Sequence, residues 1–184
     1  NTAVGYAALS ANTAGIQNVA IGISAMTAGT TGDYNVAIGA LSLDAINTAD
    51  YNTAVGYGTL TTNTSGASNV AIGRNALLSN TTGANNIAVG ALNALTANIA
   101  SNNTAVGQDS AKANTSGTGI TAIGYQALIA NTDGNGNTAV GFKALFTNID
   151  GDNNTAVGQA ALTLNSTGSH NTSVGLNTLD ANTS

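Results

Sequence analysis

The chain has 184 residues, only 6% of them charged, with eight acidic and three basic side chains for a net charge of -5. A surface so poor in Lys and Arg cannot track a phosphate backbone or hold an anionic membrane, because both depend on clustered cations. Cysteine is absent, which excludes thiol chemistry, thiolate zinc sites and disulfides, while a 42% hydrophobic content held in strict register argues against a disordered tract.

From Asn1 the sequence repeats every 17 residues without insertion, as Asn-Thr-Ala-Val-Gly-x-x-Ala-Leu-x-x-Asn-Thr-x-Gly-x-x, and units open at residues 1, 18, 35, 52, 69, 86, 103, 120, 137 and 154, with a partial unit over 171–184. Self-similarity at a short fixed period is the mark of a solenoid, in which each unit contacts only its neighbours. The expectation is one elongated array, 1–184, without a single globular core. Because the array begins and ends inside the repeat pattern, it reads as a segment of a longer fibre.

Each unit opens with Asn, except at Ile120, and continues with Thr/Val/Ile, Ala and Val/Ile, a β-branched stretch bounded by Asn and Gly that predicts a short strand. Gly occupies the fifth position in every unit, so backbone geometry constrains that position in every copy. A second short strand is predicted over Ala-Leu-x at positions eight to ten. Asn-Thr-x-Gly at positions 12 to 15 is turn chemistry. The units opening at Asn35 and Asn86 carry their second Asn one place late, at Asn47 and Asn98, with Ala49 and Ala100 in place of the second Gly, so their loops are expected to turn differently. Helix is disfavoured by the recurring Gly, and the absence of Pro suits continuous ladders that need every N–H.

Stacked coils align like residues, which predicts Val/Ile and Leu ladders inside and bonded Asn ladders at the corners. Ala at position three, replaced only by Ser173, lies on the opposite strand face from the Val/Ile at position four. A water-facing position favours Thr, Ser, Asn or Lys. Ala there suggests a face pressed against another backbone, either that of a neighbouring chain or one inside the same solenoid.

The segments Asn18-Val-Ala-Ile-Gly22, Asn35-Val-Ala-Ile-Gly39 and Asn69-Val-Ala-Ile-Gly73 resemble the Val-Ala-Ile-Gly repeats of trimeric autotransporter adhesin heads, and the similarity extends to every unit. The resemblance implies an all-β parallel β-solenoid, or β-roll, with one 17-residue coil per repeat in a homotrimeric left-handed arrangement. It also implies a tight-corner role for Gly5, Gly22, Gly39, Gly56, Gly73, Gly90, Gly107, Gly124, Gly141, Gly158 and Gly175. This period is longer than the head repeat, and the extra residues fall in the Asn-Thr-x-Gly loop. Arrays of Asn-Thr-Ala-Val-Gly-Tyr-x-Ala-Leu are similar also to stalks of bacterial and phage fibre proteins.

Catalytic chemistry finds no foothold. The one His, His170, sits in a loop without a nucleophile partner, and no phosphate-binding loop with its helix and Lys is formed. The stacked loops around Asp133, Asp150 and Asp152 are weak calcium candidates, although turn-forming Asp explains them equally and no Glu is available as a bidentate ligand. Sequons at Asn63, Asn80, Asn102, Asn114, Asn153, Asn165, Asn171 and Asn182 are candidates for glycosylation. Tyr6, Tyr57, Tyr125 and Phe142 share position six, as corner packing or as a strip for glycan contact. The expected function is a noncatalytic structural or adhesive module of a bacterial or phage fibre, extracellular or at the cell surface. It needs no cofactor and binds no nucleic acid. Its expected partners are two further copies of itself and a host or environmental surface glycan or protein. A self-assembling filament or matrix protein and an ice-binding solenoid are the alternatives.

Overall fold

The computed structural model describes residues 1–183; Ser184, the last residue of the partial unit, lies outside the described residues. Eleven strands, from β1 (Thr2–Val4) to β11 (Thr172–Val174), form one parallel sheet in chain order, one strand per 17-residue coil. Register is kept along the stack: Thr2 pairs with Val19 and Ala3 with Ala20, and the same 17-residue offset reaches Ala156 and Ser173. The chain is therefore an all-β parallel solenoid. Eleven rungs at about 4.8 Å make a rod about 50 Å long.

The two faces of the strand are reversed relative to the sequence expectation. The position-three residues Ala20, Ala54, Ala105 and Ala156 are fully buried inside their own coil, in one core cluster with Leu60, Leu77, Leu128 and Leu145 from the opposite wall. Val/Ile at position four points outward, with Ile21 38% and Ile72 39% exposed. The physical reason is the narrow lumen. A 17-residue loop closed around one Leu per rung leaves space for a methyl on the facing strand, so Ala is the inward residue and the larger β-branched side chain takes the open face. The backbone against which Ala packs belongs to its own chain, and the shared Ala-lined axis between chains is corrected accordingly.

The second strand is also corrected. Positions seven to nine form turns in which positions seven and nine are left-handed, as in Ser24 (φ 55) and Met26 (φ 51), or Lys143 (φ 55) and Leu145 (φ 50). For residues with a Cβ this conformation costs about 1–2 kcal/mol each. Coil-to-coil bonding offsets that strain: Ser24 N–H donates to the Tyr6 carbonyl at 2.9 Å, and Met26 N–H to the Ser42 carbonyl at 3.0 Å. The wall remains hydrogen-bonded without being extended. It also aims the position-nine side chain inward, and Leu145 is fully buried.

Two Asn ladders run through the interior. At position one, Asn18 Oδ1 accepts the N–H of Asn35 at 2.8 Å, while Asn18 Nδ2 donates to the Gly32 carbonyl of its own coil at 2.7 Å. At position 12, Asn80 Nδ2 donates both to Asn63 Oδ1 at 3.1 Å and to the Gly83 carbonyl at 2.9 Å. Both ladders converge on the position-15 carbonyl, since Asn69 Nδ2 also reaches Gly83 O at 2.9 Å. These amides are wholly buried, and close pairing removes the cost of burying them.

The units opening at Asn35 and Asn86 do turn differently, each in its own way. In the first, Ile46 takes the position-12 site and is 1% exposed; its Cγ2 lies 3.7 Å from where a Cβ on Gly29, at the same site one coil earlier, would be. A large residue fills the space a glycine leaves. In the second, the strand β6 (Ile87–Leu92) carries one extra residue: Ile72 of β5 (Val70–Arg74) pairs with Val89, but Arg74 pairs with Leu92. Asn98 then takes the position-12 role, and the loop is one residue shorter, so the Ala100 carbonyl again accepts from Asn86 Nδ2 at 2.8 Å. Where the next coil lacks an Asn at position 12 in frame, acceptors are orphaned: Asn12 precedes the coil of Gly29 and Asn80 precedes the shifted coil, and the Oδ1 of neither has a partner.

Candidate interaction surface

The corner glycines create the edge of the candidate surface. All of the position-five glycines except Gly90, which lies in the shifted coil, have φ between +111° and +138°. A Cβ on Gly22 would stand 2.6 Å from the Gly39 carbonyl oxygen, so the corner admits no side chain. Just before that corner, positions two and four project outward from all eleven strands. The resulting face runs the length of the rod, contains only Thr, Val and Ile, and carries no charge. At its ends Val4 is 56% and Val174 65% exposed. Unbroken exposed apolar patches of this length mark interaction sites.

Just beyond the corner is position six, where Tyr6, Tyr57, Tyr125 and Phe142 are all exposed. Tyr125 and Phe142, on adjacent coils, stack with ring centroids 5.4 Å apart. The Arg74 guanidinium lies 5.9 Å from the Tyr57 ring, and Lys143 Nζ lies 5.5 Å and 5.0 Å from the rings of Phe142 and Phe146. Lys112, the remaining basic side chain, pairs with Asp109 at 3.5 Å. A second aromatic pair escaped sequence reasoning: Tyr34 and Tyr51 stack at 5.0 Å with 4° between their planes. Their 17-residue separation was the available signal, since residues one period apart are neighbours on the rod.

The calcium candidates are placed by the loop ladder. Asp133 and Asp150 are exposed at position 14, two places before the position-16 Asp152. Asp152 Oδ1 accepts the Asn135 N–H at 2.6 Å, as Asp50 Oδ1 accepts the Asp33 N–H at 2.7 Å and Ser101 Oγ accepts the Ala84 N–H at 2.9 Å. Position 16 thus caps the N–H of the preceding coil, which accounts for its Asp, Asn and Ser. Among the described residues, no group of three or more His, Cys, Asp or Glu is close enough to share a metal ion. Of the sequon residues, Asn63, Asn80, Asn114 and Asn165 are wholly buried in the position-12 ladder. Asn171 and Asn182 are half-buried, and Asn102 and Asn153 are exposed at position 17. His170 is exposed in the same loop, with its N–H donated to the Asp152 carbonyl at 2.9 Å. No ligand-sized cavity opens among the described residues.

The chain matches no family model, no curated protein and no solved structure.

Proposed function

We infer that this array is a noncatalytic spacer in an extracellular or cell-surface fibre of bacterial or phage type, built as a left-handed roll of three parallel chains, with its exposed loops available for adhesion. The observation that carries the reading is the uncharged Thr/Val/Ile face running the whole length of a regular rod. Coil-to-coil hydrogen bonds and two buried Asn ladders give stiffness, and repetition gives length and many equivalent surface sites. The resemblance to Val-Ala-Ile-Gly head repeats supplies the trimeric, left-handed form. In such a trimer the chains meet through Val/Ile at position four, the Ala ladder being occupied within each chain. The exposed aromatics at position six suit contact with a surface glycan or protein.

Sedimentation equilibrium over a concentration series tests the reading. A mass three times that of the chain supports it, whereas a folded monomer at every concentration defeats the trimer. Electron microscopy distinguishes isolated rods from an end-to-end filament or matrix. One observation favours ice binding as a second reading: the last five coils each present Thr-x-Val/Ile outward, from Thr104–Val106 to Thr172–Val174. Thermal hysteresis with faceted ice crystals from a monomeric sample would select it.

A further inference from the structure

Tyr34 and Tyr51 close the loops of the second and third coils, counted from the coil of Asn1, and they are the one pair of tyrosines that the 17-residue period sets side by side. Their rings stack with centroids 5.0 Å apart and planes 4° from parallel, yet stay 44% and 60% exposed. The backbone beneath them is fixed. Both residues are left-handed, at φ 58° and 59°, and each is tied to the coil before it: Tyr34 N–H donates to the Ile16 carbonyl and Tyr51 N–H to the Asp33 carbonyl, both at 3.1 Å. The preceding Asp residues pin the same loops, since Asp33 Oδ1 accepts the Ile16 N–H at 2.8 Å and Asp50 Oδ1 accepts the Asp33 N–H at 2.7 Å.

We propose that Tyr34 and Tyr51 are a site of oxidative modification, at which a one-electron oxidant such as a peroxidase with hydrogen peroxide joins the two rings into a dityrosine. Each phenol gives up one electron and its hydroxyl proton. The two radicals then form a bond between ring carbons ortho to the oxygens, and the hydrogen on each of those carbons moves to its oxygen as a proton. The pair loses two hydrogen atoms in all, while one peroxide is reduced to two waters. The inference concerns a single chain and does not depend on how many chains a fibre contains.

Four features favour coupling at this pair. The two Cα atoms are one rung apart, about 4.8 Å, and half-exposed rings have room on the solvent side to swing out of the stack and bond edge to edge. Other tyrosines have no such neighbour. Tyr6, Tyr57 and Tyr125 lie at position six, beyond the other end of the strand, and are separated from one another by three and four coils, about 14 and 19 Å. Oxidation has few other targets, because the chain has no Cys or Trp and its single Met, Met26, is 1% exposed. Finally, a partner held in place meets its radical at an effective concentration far above that of a dilute second chain, and Asp33 and Asp50 give this edge the same charge in every copy. The bond would fall where the interior lacks one: position 12 of these two coils holds Gly29 and Ile46, so neither contributes an amide to that ladder.

The experiment treats the folded chain with a peroxidase and limiting hydrogen peroxide, or with a small photochemical one-electron oxidant, over a dilution series. Intact chain and peptides are then weighed. Cleavage before Asp leaves Tyr34 as the only Tyr of residues 33–43 and places Tyr51 with Tyr57 on residues 50–108, where fragment ions separate them. The expected product is a monomer lighter by two hydrogen atoms, formed in a yield independent of dilution, with Tyr34 joined to Tyr51. Tyr51→Phe, at an exposed ring, should abolish that link without changing the circular dichroism, and Tyr57→Phe should leave it in place. In urea, Tyr57 should compete for Tyr51 and the selectivity should disappear. Coupling found only between chains, coupling within the chain at other tyrosines, or a Tyr34–Tyr51 link formed as selectively in urea would overturn the proposal. So would the absence of any link with both oxidants.

Discussion

Asn131→Ala should be among the most damaging single substitutions in the rod, and markedly worse than Asn148→Ala one coil later. Asn131 Nδ2 donates to Asn114 Oδ1 at 2.7 Å and to the Gly134 carbonyl at 3.0 Å. In most coils the position-15 carbonyl has a second donor from the position-one Asn. The Gly134 coil opens instead with Ile120, which is 1% exposed and has no amide to offer. Truncating Asn131 therefore leaves two buried acceptors without donors, at about 1–3 kcal/mol each, for an expected loss of about 2–6 kcal/mol. Asn148→Ala leaves the Gly151 carbonyl bonded to Asn137 Nδ2 at 2.6 Å. It should cost about half as much. Repeat arrays unfold in segments, so the assay is native-state hydrogen exchange read at the amides of these coils, with urea melts as a check. Ile120→Asn supplies the missing donor and should recover part of the loss when combined with Asn131→Ala. Equal costs for the two alanine variants, within about 0.5 kcal/mol, or no recovery on adding Ile120→Asn, would refute the shared-carbonyl account.

Gly141→Ala forces a Cβ onto a residue at φ +138° that faces the backbone of Gly158. It should cost at least about 3 kcal/mol and expose the neighbouring rungs to exchange. Ala105→Val overfills the lumen and should destabilise by about 1–3 kcal/mol, while Val106→Asp on the outer face should leave the monomer folded and lower the sedimenting mass. Ile46→Ala opens a cavity beside Gly29 and should cost about 2–5 kcal/mol in the melting of the first coils. Expressed in a glycosylating host and mapped by mass spectrometry, the folded chain should carry glycan at Asn102 and Asn153 but not at the buried Asn63, Asn80, Asn114 or Asn165.

The period, the strand at positions two to four and the Asn ladders were legible because stacking aligns identical residues whatever the shape of the coil. Which strand face is inward was not. Alternation separates Ala20 from Ile21, yet only the lumen's width, fixed by the whole closed loop, decides that the smaller side chain enters. The left-handed turns were hidden for a related reason. Leu at position nine has no local preference for φ near 50°, and ladder bonds to the next coil with burial of its side chain hold it there. Asn47 and Asn98 looked alike in sequence because both follow an apparent one-place delay. Ile46 merely substitutes in frame, whereas Asn98 compensates for an extra residue at a corner.

That compensation in the coil of Ile87 concerns circumference. A turn of the solenoid lends one residue from its loop to its corner, and the perimeter is unchanged when Asn103 begins the next turn. Had the debt been left open, every later side chain would have rotated one place around the axis, carrying Ala105 and its successors out of the lumen and Val106 and its successors in. Length variation in such a rod is therefore tolerated in whole turns, or in errors cancelled before the turn closes, and a single uncompensated insertion acts at a distance on all the coils beyond it.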